Sequence, residues 1–150
     1  MENFHENYHI VTSLYSSSFP NYQGILPKAL PSEASLDRLR VRDAVKRVLI
    51  ASDKSKAIEL CLEGGSLTLN ARTLEGCVSR ETVPCHAFSG DACTLVVNGR
   101  FLLDVLSNVQ TEELHFQYKD NNRAFFLEPS QLVNDCHSKH VIVPLMEKVN

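Results

Sequence analysis

From Ala57 to Leu62 the chain alternates. Ile58, Leu60 and Leu62 take every second place, with Glu59, Cys61 and Glu63 between them. A period of two is what a strand with one buried and one wet face requires. Glu63-Gly64-Gly65-Ser66 then makes a hairpin turn, and a second strand-like run follows from Leu67 to Ala71.

Two amphipathic segments are available to cover such a sheet. The pattern predicts a helix from Glu33 to about Ala51, with Ser35 as its N-cap and an apolar stripe of Leu39, Val41, Ala44, Val45, Val48 and Leu49. A second helix is predicted from Gly99 to about Val109. Asn98 is its cap, and its stripe is Phe101, Leu102, Val105, Leu106 and Val109. Further strands are expected at Cys77–Cys85, Thr94–Val97, Leu114–Tyr118, Arg123–Glu128 and His140–Pro144, with Asp120-Asn121-Asn122 turning between two of them. One helix, four strands, one helix and three strands is an α+β order, with two helices packed on one face of an antiparallel sheet.

Before this unit, residues 8–15 (YHIVTSLY) read as a strand. Ser16, Ser17 and Ser18 then meet Phe19-Pro20-Asn21-Tyr22, with Gly24 and Pro27 close behind, which marks a linker. Residues 1–24 are therefore read as the terminal strand and interdomain linker of a preceding domain, and 25–150 as a complete domain. At 150 residues and 43% hydrophobic content the chain can bury a core of its own.

Several function classes are disfavoured. No apolar run approaches the roughly 18 residues that cross a membrane, and Met1 to Tyr8 carries no secretory pattern. The five cysteines, at 61, 77, 85, 93 and 136, are odd in number and form no CxxC pair. Reduced thiols and a cytoplasmic setting follow, without a disulfide framework or zinc ribbon. His5-Glu6-Asn7-Tyr8-His9 matches HExxH, which binds zinc when a helix stacks both histidines on one face. Here it runs straight into a β-rich stretch, so a zinc hydrolase built on His5, Glu6 and His9 is a distant alternative. No GxSxG elbow or phosphate loop occurs. Cys85 and His86 are neighbours, which in a strand point to opposite faces. No catalytic residue, metal or cofactor is expected.

Two features invite binding. Arg38, Arg42 and Lys46 are spaced four apart on the first predicted helix and form one stripe. Such a stripe is either an ordinary solvated face or a surface laid along DNA phosphates without reading bases. The net charge of −3 leaves room for one basic face. The end of the chain, His140-Val141-Ile142-Val143-Pro144-Leu145-Met146, is apolar almost throughout, which suits either core or a docking groove.

Taken together these stretches resemble the bacterial DNA polymerase III beta subunit, the sliding clamp. Phe19-Pro20-Asn21-Tyr22-Gln23-Gly24-Ile25-Leu26-Pro27-Lys28 is similar to that family's linker between its second and third domains. Val97-Asn98-Gly99-Arg100-Phe101-Leu102-Leu103-Asp104-Val105-Leu106 resembles the second helix of its third domain, and Val141-Ile142-Val143-Pro144-Leu145 its apolar tail. The likeness runs from about residue 8 to 146. It implies the DNA clamp fold and a non-catalytic processivity factor, in which six domains, three per chain, encircle double-stranded DNA without sequence preference. The stripe Arg38, Arg42 and Lys46 would then face the DNA.

The resemblance also implies a groove for short extended peptides of the replicative polymerase, the clamp loader and repair proteins. By position it would take in Pro20, Ile25, Asn98, Phe101, Ala124, Val141, Ile142, Val143, Pro144, Leu145 and Met146. Phe101 stands where the family usually has Tyr. Val143 and Leu145 replace common methionines, a stiffer choice, and Met146 replaces a usual basic residue. The rest of the groove belongs to the family's second domain, and the subunit contact pairs the third domain with another chain's first. Two of the three domains lie outside these 150 residues, so the stretch alone is not expected to close the ring. A stand-alone peptide-binding module, or a clamp fragment that cannot encircle DNA, is the alternative.

Overall fold

The computed structural model describes residues 2–5, 8–14, 16–19, 21, 30–73, 76, 78–132 and 137–145. Ten strands and two helices occur among them: β1 (Glu2–His5), β2 (Tyr8–Val11), β3 (Ser32–Asp37), α1 (Arg38–Ile50), β4 (Ala57–Glu63), β5 (Ser66–Arg72), β6 (Val78–Ser89), β7 (Cys93–Asn98), α2 (Gly99–Asn108), β8 (Glu113–Tyr118), β9 (Phe125–Pro129) and β10 (His140–Ile142). Eight of the strands form one antiparallel sheet, in the order β10-β9-β8-β3-β6-β5-β4-β7. The other two, β1 and β2, pair with each other.

The alternation in β4 and β5 does what its period demands. Ile58, Leu60 and Leu62 face inward, as do Leu67, Leu69 and Ala71, and all are at most 4% exposed. The helices meet them with Val41, Ala44, Val45 and Val48 from α1 and Leu102 and Leu106 from α2, in one continuous core. Arg38 at the start of α1 reaches Leu106 near the end of α2. Leu49 at the other end of α1 packs on Gly99, where a Cβ would lie 2.8 Å from its side chain. The helices therefore run antiparallel.

The expected helix from Glu33 is corrected. Ser32–Asp37 is a strand, and Asp37, not Ser35, caps α1 by accepting from the Arg40 N–H at 2.9 Å. Local propensity loses here to tertiary pairing. β3 lies between β6 and β8 and hydrogen-bonds to both, with Ala34 and Leu36 buried at 0%. The register against β6 slips between Ser35 and Leu36, leaving His86 as the extra residue of a bulge.

The far ends of the sheet are tied together. β7 and β10 are its two edges. The Leu145 N–H donates to the Val96 carbonyl in β7 at 2.7 Å. The Thr94 N–H donates to Asn121 Oδ1 at 3.0 Å, and the Tyr118 hydroxyl to the Asp91 carbonyl at 2.7 Å. The β8–β9–β10 end is thus laced onto β7, which satisfies edge groups that would otherwise stay open.

The HExxH reading is corrected as well. His5 ends β1 and His9 lies in β2, with His5 opposite Tyr8 and Phe4 opposite His9. The helix that the motif needs is not formed, and Glu6 lies outside the described residues. Among the described residues no group of three or more His, Cys, Asp or Glu could hold a metal ion. Among the described residues no helix is long and apolar enough to cross a membrane.

Candidate docking groove and basic helix face

The tail after β10 is the centre of the first candidate site. β10 pairs with β9, with Ile142 opposite Phe125 and Val141 opposite Phe126. Alternation sends Ile142 inward, where it is 6% exposed and part of the core. This corrects its place in the expected groove: Ile142 anchors the tail from below. Val141 and Val143 point the other way and are 39% and 68% exposed. Pro144 is buried, and Leu145, hydrogen-bonded to Val96, keeps 41% exposure.

The start of α2 flanks this tail. Asn98 ends β7, two residues beyond the Val96 carbonyl that holds Leu145. Its side-chain oxygen accepts from the Arg100 N–H at 3.0 Å, which caps α2 and leaves the amide NH₂ as a donor. Phe101 follows with 63% exposure, large for an aromatic ring on a helix whose neighbours Leu102 and Leu106 are buried. Ala124, half-buried, immediately precedes Phe125 of β9. Of the residues expected in the groove, Val141, Val143 and Leu145 are exposed along the tail, Asn98 and Phe101 lie at the start of α2 next to the strand that holds Leu145, Ala124 precedes β9, and Pro144, like Ile142, is buried. Pro20, Ile25 and Met146 lie outside the described residues. Burial holds the pKa of His140, at the start of β10, below its ordinary value, which favours a neutral ring beside this surface.

The basic stripe divides into unlike members. Arg38 is committed elsewhere: its Nε donates to the Thr111 carbonyl at 2.5 Å and its Nη1 to the Leu106 carbonyl at 2.8 Å. It closes the C-terminal end of α2, where backbone carbonyls are short of donors and a positive charge is favoured. Arg42 is partly exposed and paired with Asp43 at 2.9 Å. Lys46 is exposed, with no ion partner among the described residues. Arg47, on the other side of α1, makes a two-pronged pair with Glu81 at 2.8 and 3.0 Å. That pair raises the arginine pKa and lowers that of the carboxyl.

Arg100 is a further exposed cation that the sequence reading did not single out. It is exposed on the first turn of α2, and its guanidinium has no ion partner among the described residues. A cation in the first turn opposes the helix dipole, and that mismatch is the signal a reader of the sequence could have used. Cys61, Cys85 and Cys93 are free thiols. Burial pushes the Cys93 thiol up to about 11 and also raises Cys61 and Cys85, so the reactive thiolate is scarce at neutral pH.

Comparison with known proteins places this geometry. Residues 23–146 match the family model described as the DNA polymerase III beta subunit, C-terminal domain. The chain is 30% identical over 135 residues to the beta sliding clamp of Pseudomonas putida, covering 89% of this chain and 36% of that one. It is 27% identical over 139 residues to the beta sliding clamp of Caulobacter vibrioides, covering 91% and 36%. Among solved structures, the DNA polymerase III subunit beta of Pseudomonas aeruginosa superimposes with a TM-score of 0.80 at 29% identity, over 90% of this chain and 36% of that one. The Borrelia burgdorferi subunit shares the fold with a TM-score of 0.87 at 21% identity, over 97% and 39%. The chain spans about a third of the length of the curated relatives it matches. With the family model covering most of its length, the chain belongs to the DNA polymerase III beta subunit, C-terminal domain family.

Proposed function

We propose that this domain works as the partner-docking and DNA-facing part of a processivity clamp in bacterial DNA replication and catalyses nothing. The observation that carries the reading is the exposed apolar side chains around a fastened tail, Phe101, Val141, Val143 and Leu145, with the side-chain NH₂ of Asn98 unpaired among the described residues. Large apolar side chains exposed side by side on a folded chain are a place for something to bind. An extended peptide would bury its apolar side chains there at roughly 25 cal/mol per Å2, and Asn98 would fix its direction. In support, the P. aeruginosa clamp, 29% identical, has been crystallised bound to griselimycin. Short peptides of the polymerase, clamp loader and repair proteins are the proposed occupants, with Pro20, Ile25 and Met146 as further contacts. Residues 1–24 are the proposed remainder of a preceding domain, and the cytoplasm the proposed setting.

On the helix side, Arg42, Lys46 and Arg100 are the proposed DNA-facing charges, with Arg38 acting through α2 rather than on phosphate. Contacts of this kind are weak and salt-screened, which suits a ring that holds DNA by topology and slides.

The test is a titration with a fluorescein-labelled hexapeptide carrying leucine and phenylalanine anchors, followed residue by residue by NMR. Shifts should centre on Asn98, Phe101 and 141–145, and Phe101→Ala should weaken binding by roughly 1–3 kcal/mol. Saturable binding that maps elsewhere, or none to folded protein, would remove the docking role.

A further inference from the structure

The groove wall formed by Val141 and Val143 rests on very little backbone. β10 has three residues and, among the described residues, a single neighbouring strand, β9. A strand so short would fray if nothing else held it. Its far end is pinned by the hydrogen bond from Leu145 to Val96. The near end is pinned by a side chain. Carrying the β9–β10 register one step back from the His140–Leu127 pair sets Lys139 against Glu128. The two form an ion pair with little solvent, 30% exposed on the lysine side and 14% on the glutamate side. Glu128 Oε1 is shut off from water and accepts no hydrogen bond, so the charge of the Lys139 ammonium beside it is what offsets its own. The same ammonium sits 5.0 Å from the centre of the Phe126 ring. Phe126 points away from the core cluster, yet is only 1% exposed.

We propose that Lys139 is a positioning residue for the docking groove, clasping Glu128 and Phe126 so that Val141 and Val143 are held as a fixed wall. The role rests on the docking reading above. Lys139, Val141 and Val143 share one face by strand alternation, so the clasp and the wall are one continuous row. A carboxylate this enclosed needs its cation, because removing one partner strands the other charge. Contact with the aromatic face strengthens the hold on the lysine. Losing the clasp frees the near end of β10 while leaving the core, which Ile142 and Phe125 belong to, intact.

The experiment compares wild type, Lys139→Met, Lys139→Arg and Glu128→Gln in the same 150-residue protein. Two quantities are read: affinity for the labelled hexapeptide, and amide hydrogen exchange at 141–145 and in β4 and β5. Lys139→Met should weaken the peptide by roughly fivefold or more, as loosening a supporting residue does, and speed exchange at 141–145 with β4 and β5 unchanged. Lys139→Arg keeps charge and ring contact and should restore affinity to within about twofold. Glu128→Gln, which removes the ion pair without removing the lysine, should weaken binding in the same direction. Wild-type affinity in both Lys139→Met and Glu128→Gln overturns the assignment. So does a loss that tracks equal loss of protection in β4 and β5 and is not recovered by arginine. A folded wild type that binds no peptide overturns the docking reading itself, and leaves Lys139 nothing to position.

Discussion

Arg38→Ala should cost this domain more stability than any change on the exposed stripe. The guanidinium spans two elements that are distant in sequence, donating to the Thr111 carbonyl at 2.5 Å and to the Leu106 carbonyl at 2.8 Å. A hydrogen bond from a charged donor contributes about 1.5–3 kcal/mol, and a cation at a helix C-terminus about 0.3–1 kcal/mol more. The two bonds share one side chain and are not additive, so the expected loss is about 2–4 kcal/mol. For a chain of this size that lowers the Tm by on the order of 10 °C. Urea unfolding followed by circular dichroism measures it, provided the slope of the transition is unchanged. Lys46→Ala is the comparison, since an isolated surface charge should move stability by no more than about 0.5 kcal/mol. Lysine at 38 should recover only part of the loss, because an ammonium lacks the planar fork that reaches both carbonyls. If Arg38→Ala unfolds with Lys46→Ala and instead loses DNA affinity, Arg38 is a DNA contact and its structural assignment is wrong.

Other outcomes follow from the same geometry. Arg42→Glu and Lys46→Glu should reduce association with duplex DNA and flatten its salt dependence, measured by anisotropy at two salt concentrations; an unchanged slope would refute the DNA-facing assignment. Gly90→Ala should destabilise by roughly 1–3 kcal/mol, because φ is +105° and the new Cβ would sit 2.2 Å from Ser32 Oγ; wild-type stability in urea would count against that close approach. Burial pushes the Tyr118 hydroxyl up to about 12. One of the four tyrosines should therefore ionise well after the unperturbed range near 10 in an absorbance titration. The stability tied to this group is complete below about pH 10 and declines as pH rises toward 12, since the unfolded chain ionises first. Tyr118→Phe should abolish the late step. For Glu113 the sign reverses. The Ser35 hydroxyl, helped by His115 and His86, holds its carboxyl below the usual 4.5, so Ser35→Ala should move the acid limb of unfolding to higher pH.

Much of this architecture was legible in the residues themselves. The period of two in β4, the glycine turn after it, the Asn98 cap and the Leu102 and Leu106 part of the α2 stripe are local patterns that survive in any environment that buries one face, whereas Phe101 of the same stripe faces outward. The Asn98–Phe101 stretch and the tail also carried the family resemblance. What sequence could not give was whatever depended on a distant partner. Ser32–Asp37 contains residues at home in a helix and becomes a strand because β6 and β8 offer it two ladders. Arg38 sits in perfect register with Arg42 and Lys46, yet only the fold brings Leu106 and Thr111 to its guanidinium. Ile142 and Val143 are adjacent and equally apolar, and alternation against β9 sends one into the core and the other outward. Sequence determined which segments could pair and pack. The tertiary structure decided which of their side chains remained free to bind, because that freedom is set by what lies across the gap.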